Sequence, residues 1–216
     1  VFIYNIQLDE LIRFRVADIA IVAWPSIYEP KPPFEQWAFQ AGIQLDPNYV
    51  KGKDNFYHTS FAAIGPVNPF VRKGMVPIEW TIDEVREFPW NQSTLKKRYK
   101  NTIPDKVHSA VVHGMKFYVQ NEMLNEFIAS RHVMVVDQKN GNILFDGYFN
   151  DSEGTYREPL NRVGELPERN LQWTGYLRKN KPPIVYGFLS HSFGCPSINF
   201  LKPSEPAIWL RCDNRH

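Results

Sequence analysis

Residues 132–149 read HVMVVDQKNGNILFDGYF, and this stretch decides the fold class. Its two arms, His132–Asp137 and Asn142–Phe149, are rich in β-branched and aromatic residues. They flank Gln138-Lys139-Asn140-Gly141, where Asn-Gly supplies the positive φ that a tight turn needs. The reading is a β-hairpin. Working outward, Val107–Val119 reads as a strand, and Trp173–Leu177, Pro183–Ser190 and Ala207–Cys212 give three more. At the other end, Val1–Trp24 reads as two buried β-like runs carrying Phe14, Val16, Ile19, Ile21 and Val22, with further short strands around Phe56–Ile64. Two helices are expected between them. Thr81-Ile82-Asp83-Glu84 has the form of a capping box opening a helix to Phe88, and Met123, Leu124, Phe127 and Ile128 stand at helical spacing within Asn121–Ser130.

The composition agrees with these local readings. The 216 residues include 17 Pro and 31 aromatics, and proline excludes regular helix and central strand while rings favour strands and cores. A mainly β fold (β-rich α+β) with long Pro-rich loops and a few short helices follows, as one domain over 1–216. Four prolines in Pro25–Pro33 and the Gly/Pro punctuation from Gly65 to Pro77 make 25–78 a loop-rich excursion, whose proline arms could pack on neighbouring copies in an oligomer. A formal charge of +2 is too close to balance to imply nucleic acid, and the basic cluster Lys96, Lys97, Arg98, Lys100 reads as a solvated face. The longest apolar run, Ile19–Trp24, stops at Pro25, so no membrane span is expected. A start at Val1 inside an apolar stretch is that of a processed or partial chain. The sequence leaves the location unknown, with an extracytoplasmic or secreted one weakly favoured.

Chemistry concentrates in Ser190-His191-Ser192-Phe193-Gly194-Cys195-Pro196-Ser197-Ile198, which follows the apolar run Ile184–Leu189. A strand giving way to a turn projects a nucleophile from a rigid edge. Backbone N–H groups and a nearby imidazole favour thiolate at Cys195, and Gly194 lets the backbone approach a carbonyl as an oxyanion donor. Two imidazoles are candidate bases: His191, four residues before the cysteine, and His113, 82 residues before it, which is preferred because Gly114 follows it on a strand. Arg178, Lys179 and Lys181 would steer an acidic substrate. His191, Cys195, Cys212, Asp213 and His216 include zinc-ligand types but lack C-x-x-C or H-E-x-x-H spacing, so neither a metal nor another cofactor is expected. A Cys195–Cys212 bridge would stabilise the fold by roughly 3 kcal/mol and silence the thiol. There is no phosphate-binding glycine motif, and the sequons at Asn91 and Asn150 are common by chance.

Ser192-Phe193-Gly194-Cys195 resembles the Ser-His-Gly-Cys signature of YkuD-type L,D-transpeptidases, and with Pro196-Ser197-Ile198 it is closer to the branch in which an aromatic replaces the His. Val112-His113-Gly114 resembles the Val-His-Gly motif that precedes the cysteine in that branch. The resemblance spans about a dozen residues. It implies a β-rich catalytic domain in which Cys195 attacks a peptide carbonyl of a peptidoglycan stem peptide, His113 serves as base, and residues 114–190 form a subdomain inserted between the two motifs. The alternative expectation is a non-catalytic β-rich structural or binding protein, capsid-like or adhesin-like, in which Cys195 and the histidines only pack.

Overall fold

The computed structural model describes residues 1–25, 39–44, 46–49, 51, 53, 59–83, 87–95, 101–164, 170–192 and 196–210. These are almost wholly strand and turn, with single 3-10 turns at Val16–Asp18, Pro47–Tyr49 and Trp90–Gln92. The fold is mainly β, and no helix among the described residues is long and apolar enough to cross a membrane. The described residues divide into two compact units, one within Val1–Lys73 and one within Gly74–Cys212.

In the first unit, β1 (Phe2–Asn5) lies between β2 (Glu10–Arg13) and β5 (Ser60–Ala63), while β3 (Ala20–Pro25) pairs with β4 (Phe39–Gln44) as a separate antiparallel ribbon. Three strands therefore stand where Val1–Trp24 reads as two, and Val16 and Ile21 are exposed. Tyr4 is fully buried. Its hydroxyl donates to Asp9 Oδ1 at 2.9 Å and accepts from Lys73 N at 3.1 Å; burial and the neighbouring carboxylate push the phenol up to about 12. Of the expected excursion 25–78, residues 26–38, 45, 50, 52 and 54–58 lie outside the described residues; the rest includes β4 and β5.

The second unit stacks two antiparallel sheets. One runs β11 (Ile143–Phe149), β10 (Phe127–Asp137), β9 (Met115–Leu124), β8 (Ile103–Val112), β7 (Thr81–Ile82). The other runs β17 (Ile208–Trp209), β16 (Ser197–Phe200), β14 (Ile184–Tyr186), β13 (Trp173–Gly175), β6 (Met75–Pro77), and a ribbon pairs β12 (Thr155–Arg157) with β15 (Leu189–His191). Residues 114–190 thus pair with strands on both sides of them in sequence, β9 on β8 and β14 on β16. The 132–149 hairpin forms as its sequence indicates, β10 against β11.

Its apolar run has a physical reason. Successive strand residues face opposite ways. Val133 and Val135 join Phe117, Val119, Val185 and Phe188 in the core between the sheets, whereas Met134 joins Phe88 and Val107 beneath the 87–95 segment. Both faces are covered, so all three residues are fully buried. Each such side chain contributes about 2 kcal/mol of burial.

Both expected helices are corrected. Thr81–Ile82 pairs with Ser109 and His108 as an edge strand, and Thr81 Oγ1 donates to the Ser109 carbonyl at 3.2 Å; residues 84–86 are outside the described ones. The 121–130 stretch is a hairpin: Leu124 pairs with Phe127 and Met123 with Ile128 around Asn125, which takes φ +55°. Leu124 and Phe127 are three residues apart, a spacing that a helix face and a two-residue turn both bring together, so the apolar pattern suits both structures, and the cross-strand partners settle it. Val107–Val119 is likewise two strands, β8 and β9, not one.

A polar clasp ties the second unit together. Asn161 and Gln172 are essentially inaccessible. Asn161 Nδ2 donates to the carbonyls of Ile78 and Gln172 at 2.8 and 2.9 Å, and its Oδ1 accepts from Leu171 N at 2.7 Å. Gln172 Nε2 donates to the carbonyls of Pro159 and Gly187 at 2.9 and 3.0 Å, while its Oε1 accepts from Asn161 N at 2.8 Å. Buried amides are tolerable only when satisfied in this way.

Candidate functional site

The β12–β15 ribbon and the strands β14, β16 and β17 enclose an open cleft of about 310 Å³. Phe149, Val185 and Phe188 give it an apolar base; Asn150, Ser152, Thr155, His191, Ser197 and Asn199 supply polar groups, and Trp209 is an exposed ring on its lining. Strand alternation accounts for β16: Ser197 and Asn199 line the cleft while Ile198 and Phe200 are buried.

His191 is half-buried on β15, directly opposite Thr155 of β12, with Nδ1 3.1 Å from Thr155 Oγ1. Burial disfavours its charged form and holds the imidazole below its ordinary value. Ser192 follows, exposed, with N and Oγ both donating to the Gly154 carbonyl at 2.8 and 3.2 Å. Gly194 and Cys195 lie outside the described residues, as does Cys212. Beyond them Pro196 lines the cleft, and its carbonyl accepts from Leu210 N at 2.9 Å.

His113 stands elsewhere. Val112 pairs with Met115, so His113 and Gly114 are the two residues of a hairpin loop, with φ +49° and +75°. Positive φ at both positions is the type I′ geometry that matches the twist of the flanking strands. The His113 side chain is exposed at that tip, beside the β10–β11 turn, where Gln138 N donates to the Gly114 carbonyl at 2.9 Å. Met115 pairs with Asp137, while Asn121 pairs with Arg131, which pairs with Phe149 at the cleft. From Met115 to Asn121 is a run of about 20 Å at about 3.4 Å per residue. The structure therefore brings His191, but not His113, to the cleft.

Arg178, Lys179 and Lys181 occupy the turn between β13 and β14, and none lines the cleft. Lys181 forms an ion pair with Glu205 and lies 5.9 Å from the Phe200 ring centre. Of the zinc-ligand types, only His191 is among the described residues, which contain no group of three His, Cys, Asp or Glu side chains able to hold a metal ion.

Two other polar clusters have the residue types of catalytic sites. On the strap-covered face, His132 Nε2 donates to Asp146 Oδ1 at 2.5 Å, and Asp146 Oδ2 accepts from Ser93 Oγ, Thr94 N and Thr94 Oγ1. Phe88, Trp90 and Tyr148 rings pack within 4.4 to 4.6 Å of the imidazole. Burial opposes ionisation of Asp146, but the donors outweigh it and hold the carboxyl below the usual range. The pair fastens the 87–95 strap and is closed to substrate, with side chains 0% and 3% exposed. In the second cluster, Lys116 Nζ donates to Ser109 Oγ at 2.8 Å and to Asp83 Oδ2 at 3.1 Å, while Ser109 Oγ donates to that same carboxylate oxygen at 3.0 Å. The ion pair occupies the amine that a serine nucleophile would need as base.

Comparison with protein-family models, with curated proteins and with solved structures finds no match.

Proposed function

We propose that the chain performs cysteine-dependent acyl transfer on a peptide, with Cys195 as nucleophile and His191 as base, in the manner of an L,D-transpeptidase acting on stem peptides. One observation carries this reading: His191 and Pro196, the residue covalently joined to Cys195, line the same cleft. His191 would take the thiol proton; the thiolate attacks the carbonyl carbon, and the amide C–N bond breaks as the imidazolium returns the proton to the departing amine. A thioester remains. An acceptor amine, or water, then attacks it and restores the thiol. The asparagine and serine side chains of the cleft would orient the peptide.

Alkylation by iodoacetamide, followed residue by residue by mass spectrometry, tests the assignment. Cys195 should react faster than Cys212, and His191→Ala should slow Cys195 by about 100-fold, the lower end of general-base contributions. With a D-centred tetrapeptide as acyl donor, Cys195→Ala should abolish turnover and retain the circular dichroism of the fold. Equal reactivity of the two thiols, or a bridge between them, overturns the reading. A binding module without turnover is the second reading, favoured by the exposed ring of Trp209 on the cleft lining. Peptide binding that survives Cys195→Ala, with no turnover in the parent chain, would establish it.

A further inference from the structure

We infer that Thr155 is a positioning residue for His191: its hydroxyl accepts a hydrogen bond from Nδ1–H, the arrangement in which Nε2 is unprotonated. The inference rests on the reading of His191 as the base. A neutral imidazole has one donor and one acceptor nitrogen, so whatever occupies Nδ1 decides whether Nε2 can take a proton. If Nδ1 accepted from Thr155, Nε2 would carry the hydrogen and could not remove one from a thiol.

The geometry singles out Thr155 for this role. It is cross-strand to His191 in the β12–β15 register, so their separation is set by the ladder and not by a mobile side chain. Its backbone is pinned in both directions, Thr155 N to the Ser152 carbonyl and Ser152 N to the Thr155 carbonyl, each at 3.0 Å. A β-branched side chain on such a backbone has few χ1 choices. The residue is 9% exposed, so bulk water competes little for the hydroxyl. Beyond His191, Ser192 is tied to Gly154, the neighbour of Thr155, which carries the strand pairing one residue past the imidazole. The 3.1 Å contact is thus held by the scaffold before any substrate arrives.

The experiment uses the full chain labelled with nitrogen-15. Long-range proton–nitrogen correlation at neutral pH reads the His191 tautomer directly; protonated Nδ1 is expected, and protonated Nε2 overturns the inference. Thr155→Val should lose the single tautomer and slow iodoacetamide alkylation of Cys195 by about 10-fold, the smaller effect typical of groups that orient another residue, and Thr155→Ser should restore both. A purely packing role predicts the reverse, because valine fills the site better than serine. Alkylation at the parent rate in Thr155→Val, with His191→Ala slowed, removes Thr155 from the mechanism and leaves His191 as base. Alkylation unaffected by His191→Ala removes the base itself, whatever the tautomer. Should Thr155→Val fail to fold, the tautomer in the parent chain and the Thr155→Ser rate still decide the matter.

Discussion

Gly187 shows how much can hang on a missing side chain. It takes φ +86°, and a Cβ there would stand 1.8 Å from the Leu171 carbonyl oxygen, which is backbone and cannot swing aside. Its own carbonyl accepts from Gln172, so displacement would also open the clasp. Gly187→Ala should therefore cost at least about 3 kcal/mol, combining backbone strain with lost buried hydrogen bonds; urea denaturation of the pair measures it, and a cost under about 1 kcal/mol would contradict the close approach. None of this is legible in the sequence, where Gly187 is one of 12 glycines with no turn signature around it. Thr155 was hidden for a related reason: its importance comes from a partner 36 residues away. His191 could be named in advance because its neighbours in sequence include its proposed partner in chemistry.

At the level of elements, hairpins were readable where the turn declared itself and misread where the flanks could serve two structures. Asn140-Gly141 announces a turn, and β10–β11 follows. His113-Gly114 is the same device in disguise: histidine is among the residues that tolerate a left-handed position, but His-Gly is not one of the dipeptides that announce a two-residue turn. That geometry explains why a His-Gly pair stands here without any appeal to catalysis. Accordingly, His113→Asn should leave Cys195 alkylation unchanged and preserve or slightly raise the melting temperature, whereas His113→Val should cost about 1 kcal/mol by forcing a β-branched residue to positive φ. A fall in alkylation with His113→Asn would return His113 to the site. The helical reading of 121–130 failed because a spacing of three is neutral between a helix face and two strand ends joined by a turn. The strand pairing of Thr81–Ile82 similarly overrides a capping box, whose local contribution is only about 1 kcal/mol.

For the molecule as a whole, composition gave the class: prolines and rings pointed to a β-rich chain, and the sheets bear it out. The way the sheets stack was not accessible, because the partners of each strand lie on distant segments. Acid should act on this architecture through the strap. The Asp146 carboxyl is held below its ordinary value in the fold, so its contribution is complete above the unfolded value of about 4 and drains away as pH falls through the lowered folded value. In thermal melts from pH 7 to 2, Asp146→Asn should start less stable than the parent and lose less between pH 4 and 2; parallel curves would show that the strap does not depend on this charge.

The Asn161–Gln172 clasp also bears on how the chain finds its shape. One of its bonds, Asn161 Nδ2 to the Ile78 carbonyl, joins residues 83 apart, whereas the others join residues 10 to 15 apart. Until Ile78 arrives, that amide hydrogen must stay hydrated, so this one contact carries a loop-closure cost that the rest of the clasp does not. The 132–149 ribbon and most of the clasp can form on local information, and the Ile78 segment is what completes the amide knot.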